Sequence, residues 1–258
     1  LALGALERGD VAPAELKGLF TFVHQRSMRA SVAERGHIAK ALAAGARPVA
    51  IFASVWCDAT GVRDAFNKGA RAACPVPPSI SDVYGAALKS FFVNVLEIPV
   101  EPTFVQYCAA VEALIAEQRR SARRLSEEHR RKSACTANGA IASVFRHWAN
   151  GCTDSVCDSG GSAARVRAWL KRKATGAVLP SAILGEYVSM ESEPLAVVSA
   201  AESAMAARLA DAACSATLLD VSFCRAASHA FLEQCGICSL SSRIELDVEA
   251  EGARVDIA

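Results

Sequence analysis

SISDVYGAALKSFFVNVLEIPVEPTF, Ser79 to Phe104, is the stretch on which the reading of the whole chain turns. Its apolar residues fall at Val83, Tyr84, Ala87, Leu88, Phe91, Phe92, Val95 and Leu96, which draws one broad stripe along a helix predicted over 80–97. Ser79 and Asp82 stand at capping-box spacing, with an acid at the positive end of the helix dipole. Pro99 and Pro102 close the helix, since neither can donate to the ladder and each disfavours α geometry in the residue before it. Thr103, with Gln106 three residues on, opens the next helix. The Phe91-Phe92 pair reads as core rather than as a partner-binding knob, because paired apolar residues at helical spacing face an interior.

Towards the N-terminus, Pro13 starts a helix bearing Leu16, Leu19, Phe20 and Val23. Ser31 and Glu34 cap a second helix, with Ile38 and Leu42 inward and Gly45 at its close. PVAIFASV over 48–55 is a short, nearly all-apolar run, predicted as a buried strand. Asp58, Thr60 and Gly61 suit a turn, and Val62–Lys68 one or two helical turns.

Beyond Thr103 a long helix presents Phe104, Tyr107, Cys108, Val111, Leu114 and Ile115 on one face and runs on into QRRSARRLSEEHRRK. Asn138 is read as the cap of a helix with Ile141, Val144, Phe145 and Trp148, ended by Asn150-Gly151; Ser162 starts another. Short strands are predicted at 177–179, 187–190, 195–199 and 216–221, and Ser199 with Glu202 as a further capping box. A helix follows over 222–234, and alternation at Ile244, Leu246 and Val248 marks an edge strand over 244–248. The expectation is a helix-rich α+β chain in two successive units, residues 1–103 and 104–258. Their similar order of elements hints at a degenerate duplication.

In a chain of 258 residues that is 52% hydrophobic, with net charge +1, neither disorder nor a polyanion-binding tail is indicated overall. Its longest apolar runs are about half the roughly 20 residues of a spanning helix, so no membrane contact is expected. It begins at Leu1 and reads as a piece of a longer protein. The ten cysteines lie mostly in helical patterns and read as reduced thiols of an intracellular protein.

Two features offer chemistry. Arg119, Arg120, Arg123 and Arg124 head a basic run to Lys132 that offers an anion site for nucleic acid or an anionic surface. The blander reading, a solvated helix end, is preferred: no aromatics are interleaved and Glu127 and Glu128 dilute the charge. Cys235 and Cys238 form a C-x-x-C, but a zinc site needs a second pair, and a redox pair belongs at a helix N-terminus rather than after a helix end. No phosphate loop, nucleophile elbow or histidine metal motif is present, so no catalytic residue, metal or cofactor is assigned.

SDVYGAALKSFFVNVLEIPVEPTFVQYC, Ser81 to Cys108, resembles a block of the plant NO VEIN and sacsin-like family, "FF-V-x-LGV-x-x-x-PSF-x-Y". Val55–Gly61 (VWCDATG) resembles its "YWHDPTG", and Ile141–Gly151 (IASVFRHWANG) its "VFxxFxKWxxG". Val178–Met190 (VLPSAILGEYVSM) resembles "VLPTxxxxWVSL", and Phe231–Ile244 (FLEQCGICSLSSRI) "LGIPxLSEVV". The phrases keep their order from about Pro48 to Glu249. The chain departs where Ala201-Glu202 replaces an acidic pair and Tyr187 a tryptophan. The resemblance implies a large intracellular protein, nuclear rather than cytoplasmic, whose histidine-kinase/HSP90-type ATPase domain precedes this segment. No ATPase residue has a counterpart here. The segment is then expected to be a non-catalytic scaffold for protein partners or other domains of its own chain.

Overall fold

The computed structural model describes residues 13–45, 51, 53–67, 73–121, 125–151, 161–172, 176–190, 195–198, 202 and 217–242. The fold is helix-rich α+β with short strands. Contacts in space gather it into two compact units, Leu1–Ala59 with Val76–Thr103, and Thr60–Pro75 with Phe104–Ala258.

In the first unit, α1 (Pro13–Ser27) and α2 (Val32–Gly45) form a helical pair. Pro13 at the first helical position loses only an N–H that no helix satisfies there. The box ahead of α2 is complete. Ser31 N and Oγ donate to Glu34 Oε2 at 2.7 and 2.8 Å, and Glu34 N donates to Ser31 Oγ at 3.3 Å.

The predicted strand over 48–55 is corrected. Ile51 and Ala53 lie in turns, residues 48–50 and 52 fall outside the described residues, and β pairing is a single parallel bridge between Val55 and Ser79. The extended piece is centred further on. Val55 N donates to Pro78 O and Ile80 N to Val55 O, while Trp56 N donates to Pro99 O and Cys57 N to Val100 O. Pro77, Pro78 and Pro99 have no N–H to return, so the ladder cannot lengthen.

The single helix predicted over 80–97 is also corrected. It is α4 (Ser81–Tyr84), a 3-10 turn at Ala86–Leu88 and α5 (Lys89–Asn94). Gly85, at φ 76 and ψ 158, breaks it; a side chain is disfavoured in that conformation. The Ser79–Asp82 cap does not form, because the Ser79 hydroxyl donates to Trp56 O at 3.1 Å and Ile80 is the N-cap. The stripe nevertheless faces inward: Tyr84, Leu88, Phe91, Phe92, Val95 and Leu96 pack with Phe20, Trp56, Ile80 and Ile98. Val83, 44% exposed, and Ala87, also exposed, are the exceptions.

In the second unit, α6 (Phe104–Ser121) lies along α7 (Glu127–Ala149), which buries Ala134, Ala137, Ile141, Ala142, Val144, Phe145 and Trp148. The short α3 (Val62–Asn67), expected with the first unit, packs instead on α7 through this grouping and buries Val62 and Phe66. Gly151, at φ 89, ends α7 with its N–H on Trp148 O. The next helix is α8 (Gly161–Leu170).

Strands β1 (Leu179–Pro180) and β2 (Tyr187–Val188) pair antiparallel, Leu179 opposite Val188. Strands β3 (Leu195–Val197), β4 (Thr217–Leu218) and β5 (Cys238–Ser239) make a parallel sheet in the order β4-β3-β5. The helix predicted over 222–234 is two, α9 (Val221–Ala226) and α10 (His229–Gln234), separated where Ser228 takes φ 65. The edge strand expected at 244–248 lies outside the described residues. Ser199 of the expected Ser199–Glu202 box lies outside the described residues; Glu202 Oε1 accepts the Ser241 N–H at 2.8 Å.

Candidate functional site

A polar arrangement in the second unit is built around Asn138, at mid-helix in α7 and not at its start. The side chain is 6% exposed, and instead of capping a helix it is used by tertiary partners. Tyr187 Oη donates to Asn138 Oδ1 at 3.1 Å, and Asn138 Nδ2 points to Asp220 Oδ2 at a long 3.4 Å. Asp220 is the N-cap of α9, its Oδ1 accepting Ser222 N at 2.8 Å and Phe223 N at 2.9 Å, with the Ser222 hydroxyl also bound.

Burial is the main cause that pushes the Tyr187 phenol up to about 12; Arg119 pulls the other way and Asp220 adds to the rise. The phenol is therefore a neutral donor near neutrality. Chemically, this chain of groups clamps β2 and the start of α9 onto α7. Its bonds run from Tyr187 through Asn138 and Asp220 to the first turn of α9.

A second tie joins α8 to α6. Trp169 Nε1 donates to Glu112 Oε1 at 2.8 Å, and the Arg165 guanidinium lies 4.6 Å from the Phe104 ring centroid. Beneath it the Cys108 thiol is pushed up to about 12, by burial first and by Glu112 second, against Arg172 and Arg165.

The four arginines of the basic run do not come into view together. Arg119 Nη2 donates to Ala177 O at 3.2 Å, so this exposed side chain reaches the segment ahead of β1. Arg120 Nε reaches Ala116 O at 3.4 Å, one turn back, and its Nη2 pairs with Glu117 Oε2 at 2.9 Å. That is helix-end chemistry, with a cation on the last carbonyls. Arg123 and Arg124 lie outside the described residues.

The cysteine pair is split between core and surface. Cys235 follows α10, fully buried, its Sγ 3.8 Å from Ala163 O, while Cys238 is exposed on β5. Burial pushes the Cys235 thiol up to about 12 with Arg167 opposing, and a helix C-terminus offers a thiolate no stabilisation. Gly236, at φ 91, makes the turn between them; an added Cβ would meet Met190 Cε at 3.1 Å and Arg167 Nε at 3.2 Å. Cys57, Cys74, Cys108, Cys135, Cys224, Cys235 and Cys238 are free thiols; Cys152, Cys157 and Cys214 lie outside the described residues. Among the described residues no three His, Cys, Asp or Glu side chains are grouped to hold a metal ion, and no helix is long and apolar enough to cross a membrane.

A shallow depression of about 290 Å³ in the first unit is lined by Ala86, Ala87, Lys89, Ser90, Val93 and Asn94. It is an open surface groove along one face of α5. Of the polar trio, sequence reasoning misread Asn138 as a helix cap and passed over Tyr187 and Asp220. Asp220 had a signal, since an aspartate directly before a helical run is a standard cap position. Tyr187 had none. No protein-family model, curated protein or solved structure matches this chain.

Proposed function

We propose that this segment is a non-catalytic scaffold, two successive α+β units that hold partners or other domains of a NO VEIN-like chain. The observation that supports the reading is the Asn138–Tyr187–Asp220 set, in which the polar side chains serve the packing of α7, β2 and α9. The thiols of Cys108, Cys224 and Cys235 point the same way: they are buried and burial raises them further, so they act as apolar filling. The five sequence phrases add the expectation of an HSP90-type ATPase domain elsewhere in the polypeptide. The test is to mix the purified segment with that ATPase domain. Co-elution on gel filtration, with no ATP turnover by the segment alone, is the expected result. ATP hydrolysis by the isolated segment would overturn the reading.

A second reading is an anionic-surface or nucleic-acid binder. It is favoured by the exposure of Arg130, Arg131 and Lys132 on the first turns of α7, close in sequence to Arg119 and Arg120. It requires binding to DNA or RNA that weakens steeply with salt. It also requires that Gln at 119, 120, 123 and 124 abolish that binding. Retention of a polyanion unaffected by those four changes would end it.

A further inference from the structure

Phe22, Met28 and Val32 are large apolar side chains left 56%, 73% and 78% exposed on the elbow between α1 and α2. Val32 and Met28 are the two most exposed such side chains among the described residues. Exposed apolar side chains scattered singly need no explanation, but these three stand on one short elbow. Nor is the elbow loose. Met28 N donates to His24 O at 3.0 Å, Arg29 N to Arg26 O and Ala30 N to Ser27 O at 3.1 Å, and Ser31 caps α2 with Glu34. Its inner side is already used: Phe20 and Val23 pack into the first core, and Ser27 is buried. Phe22, Gln25, Arg26, Met28 and Arg29 face outward.

The outward side is also cationic. From 13 to 45 the chain holds Lys17, Arg26, Arg29, Arg35 and Lys40 against Glu15 and Glu34. Arg26, Arg29 and Arg35 are exposed, and among the described residues none of them is paired with a carboxylate. Glu34 is turned to Ser31 N and Oγ. The Arg26 guanidinium lies 5.5 Å from the Phe22 ring centroid, so cation and ring are presented together. Side chains as exposed as Met28 and Val32 project from the surface rather than line a groove for a peptide. Projecting hydrocarbon beside unpaired guanidinium groups matches a surface with anionic heads outside and acyl chains beneath.

We propose that the α1–α2 elbow is a peripheral docking surface for an anionic lipid bilayer. Phe22, Met28 and Val32 enter the boundary between headgroups and acyl chains, while Arg26, Arg29 and Arg35 pair with the phosphates and carboxylates of the headgroups. A helix too short to span can still lie on a bilayer, which asks for exposed hydrocarbon and charge rather than length. The surface belongs to the first unit alone. It stands independently of the scaffold reading and of the arginines at 119 and 120.

The test sediments the purified chain with vesicles of phosphatidylserine and phosphatidylcholine, and with vesicles of phosphatidylcholine alone. Expected is binding to the anionic vesicles that falls with added salt, and little binding to the neutral ones. Phe22→Gln with Met28→Gln lowers the partition coefficient by on the order of tenfold, and Gln at 26, 29 and 35 lowers it by on the order of 100-fold. Ile183→Gln with Leu184→Gln, exposed apolar changes in the second unit, leaves it unchanged, as does Gln at 119 and 120. The circular dichroism of every variant matches the parent's. No capture by anionic vesicles, or capture indifferent to the elbow changes, would overturn the proposal. A dimer of the parent chain that the same changes dissolve, without vesicle capture, would give the elbow to a second copy instead.

Discussion

The first unit and the second are both organised on aromatic rings, yet they are fastened differently. In the first, Phe92 meets Phe20, Trp56, Tyr84 and Phe91 at centroid distances of 4.8–5.8 Å, a hub of hydrocarbon faces and edges. In the second, Phe104, Phe145, Trp148, Trp169 and Phe223 form a comparable cluster, but hydrogen bonds from Trp169 and Tyr187 tie its helices to defined partners. Ring packing tolerates small shifts, whereas a hydrogen bond holds one register. The contrast teaches that long-range side-chain hydrogen bonds add register to the ring packing of the second unit, whereas the broken helices over 81–94 rest on ring packing together with bonds to the backbone of Val55 and Trp56.

The largest expected effect tests the hub. Phe92→Ala removes a ring from the centre of four others and is expected to lower stability by about 3–5 kcal/mol, read from the urea midpoint. A loss below about 1 kcal/mol would show that the hub does not hold the first unit together.

Next comes the polar tie. Asn138→Ala leaves the buried Tyr187 hydroxyl without its acceptor and is expected to cost about 2–3 kcal/mol. Adding Tyr187→Phe recovers part of that loss, because no buried donor is then left unpaired. Strictly additive changes in the double-mutant cycle would mean the two side chains are not coupled.

Alkaline titration separates the units by chemistry. Burial raises Cys108 and Cys235 to about 12 and Cys224 to about 11, from 9.0, and Tyr187 to about 12 from 10.0. The folded chain thus holds these protons more tightly than the unfolded one. Their contribution is full below about pH 9 and is lost as the pH rises through about 11–12. Tyr84, also raised by burial, acts in the same direction in the first unit. The urea midpoint is expected to fall between about pH 8 and pH 10.5, and to fall less in Cys108→Ala with Cys224→Ala. An equal fall in that variant would put the sensitivity elsewhere.

The smallest effect belongs to an exposed feature of the first unit. The Ser31 backbone N–H, then its hydroxyl, holds the Glu34 carboxyl below its usual range. Its small stabilisation is therefore present above about pH 4.5 and lost as the pH falls below it. Glu34→Gln is expected to flatten the acid side of the thermal midpoint profile between about pH 5 and pH 3 and to leave the neutral midpoint nearly unchanged. A profile identical to the parent's would show that the box contributes nothing.

Much of the candidate site was illegible for a definite reason. The basic run and the cysteine pair announce themselves by residue type, and the structure assigns Arg119, Arg120 and Cys235 to helix ends and core. Asn138 and Tyr187 are 49 positions apart, and nothing local to either marks the other. A helix cap and a buried mid-helix amide use the same residue type, so the Asn138 misreading is one that composition alone cannot avoid.

The amino-acid order by itself determined the inward stripe from Tyr84 to Leu96, the Ser31–Glu34 cap, the long helix from Phe104 and the stop at Gly151. These are decided within one or two turns of backbone, by periodicity and by residues with few permitted conformations. Only the tertiary structure decided the break at Gly85, the fusion of 127–149 into one helix, the shift of the extended piece to Val55–Cys57, and the Asn138 cluster. Each of those depends on which distant carbonyl or hydroxyl a group meets, a choice made by packing after local preferences have already been satisfied.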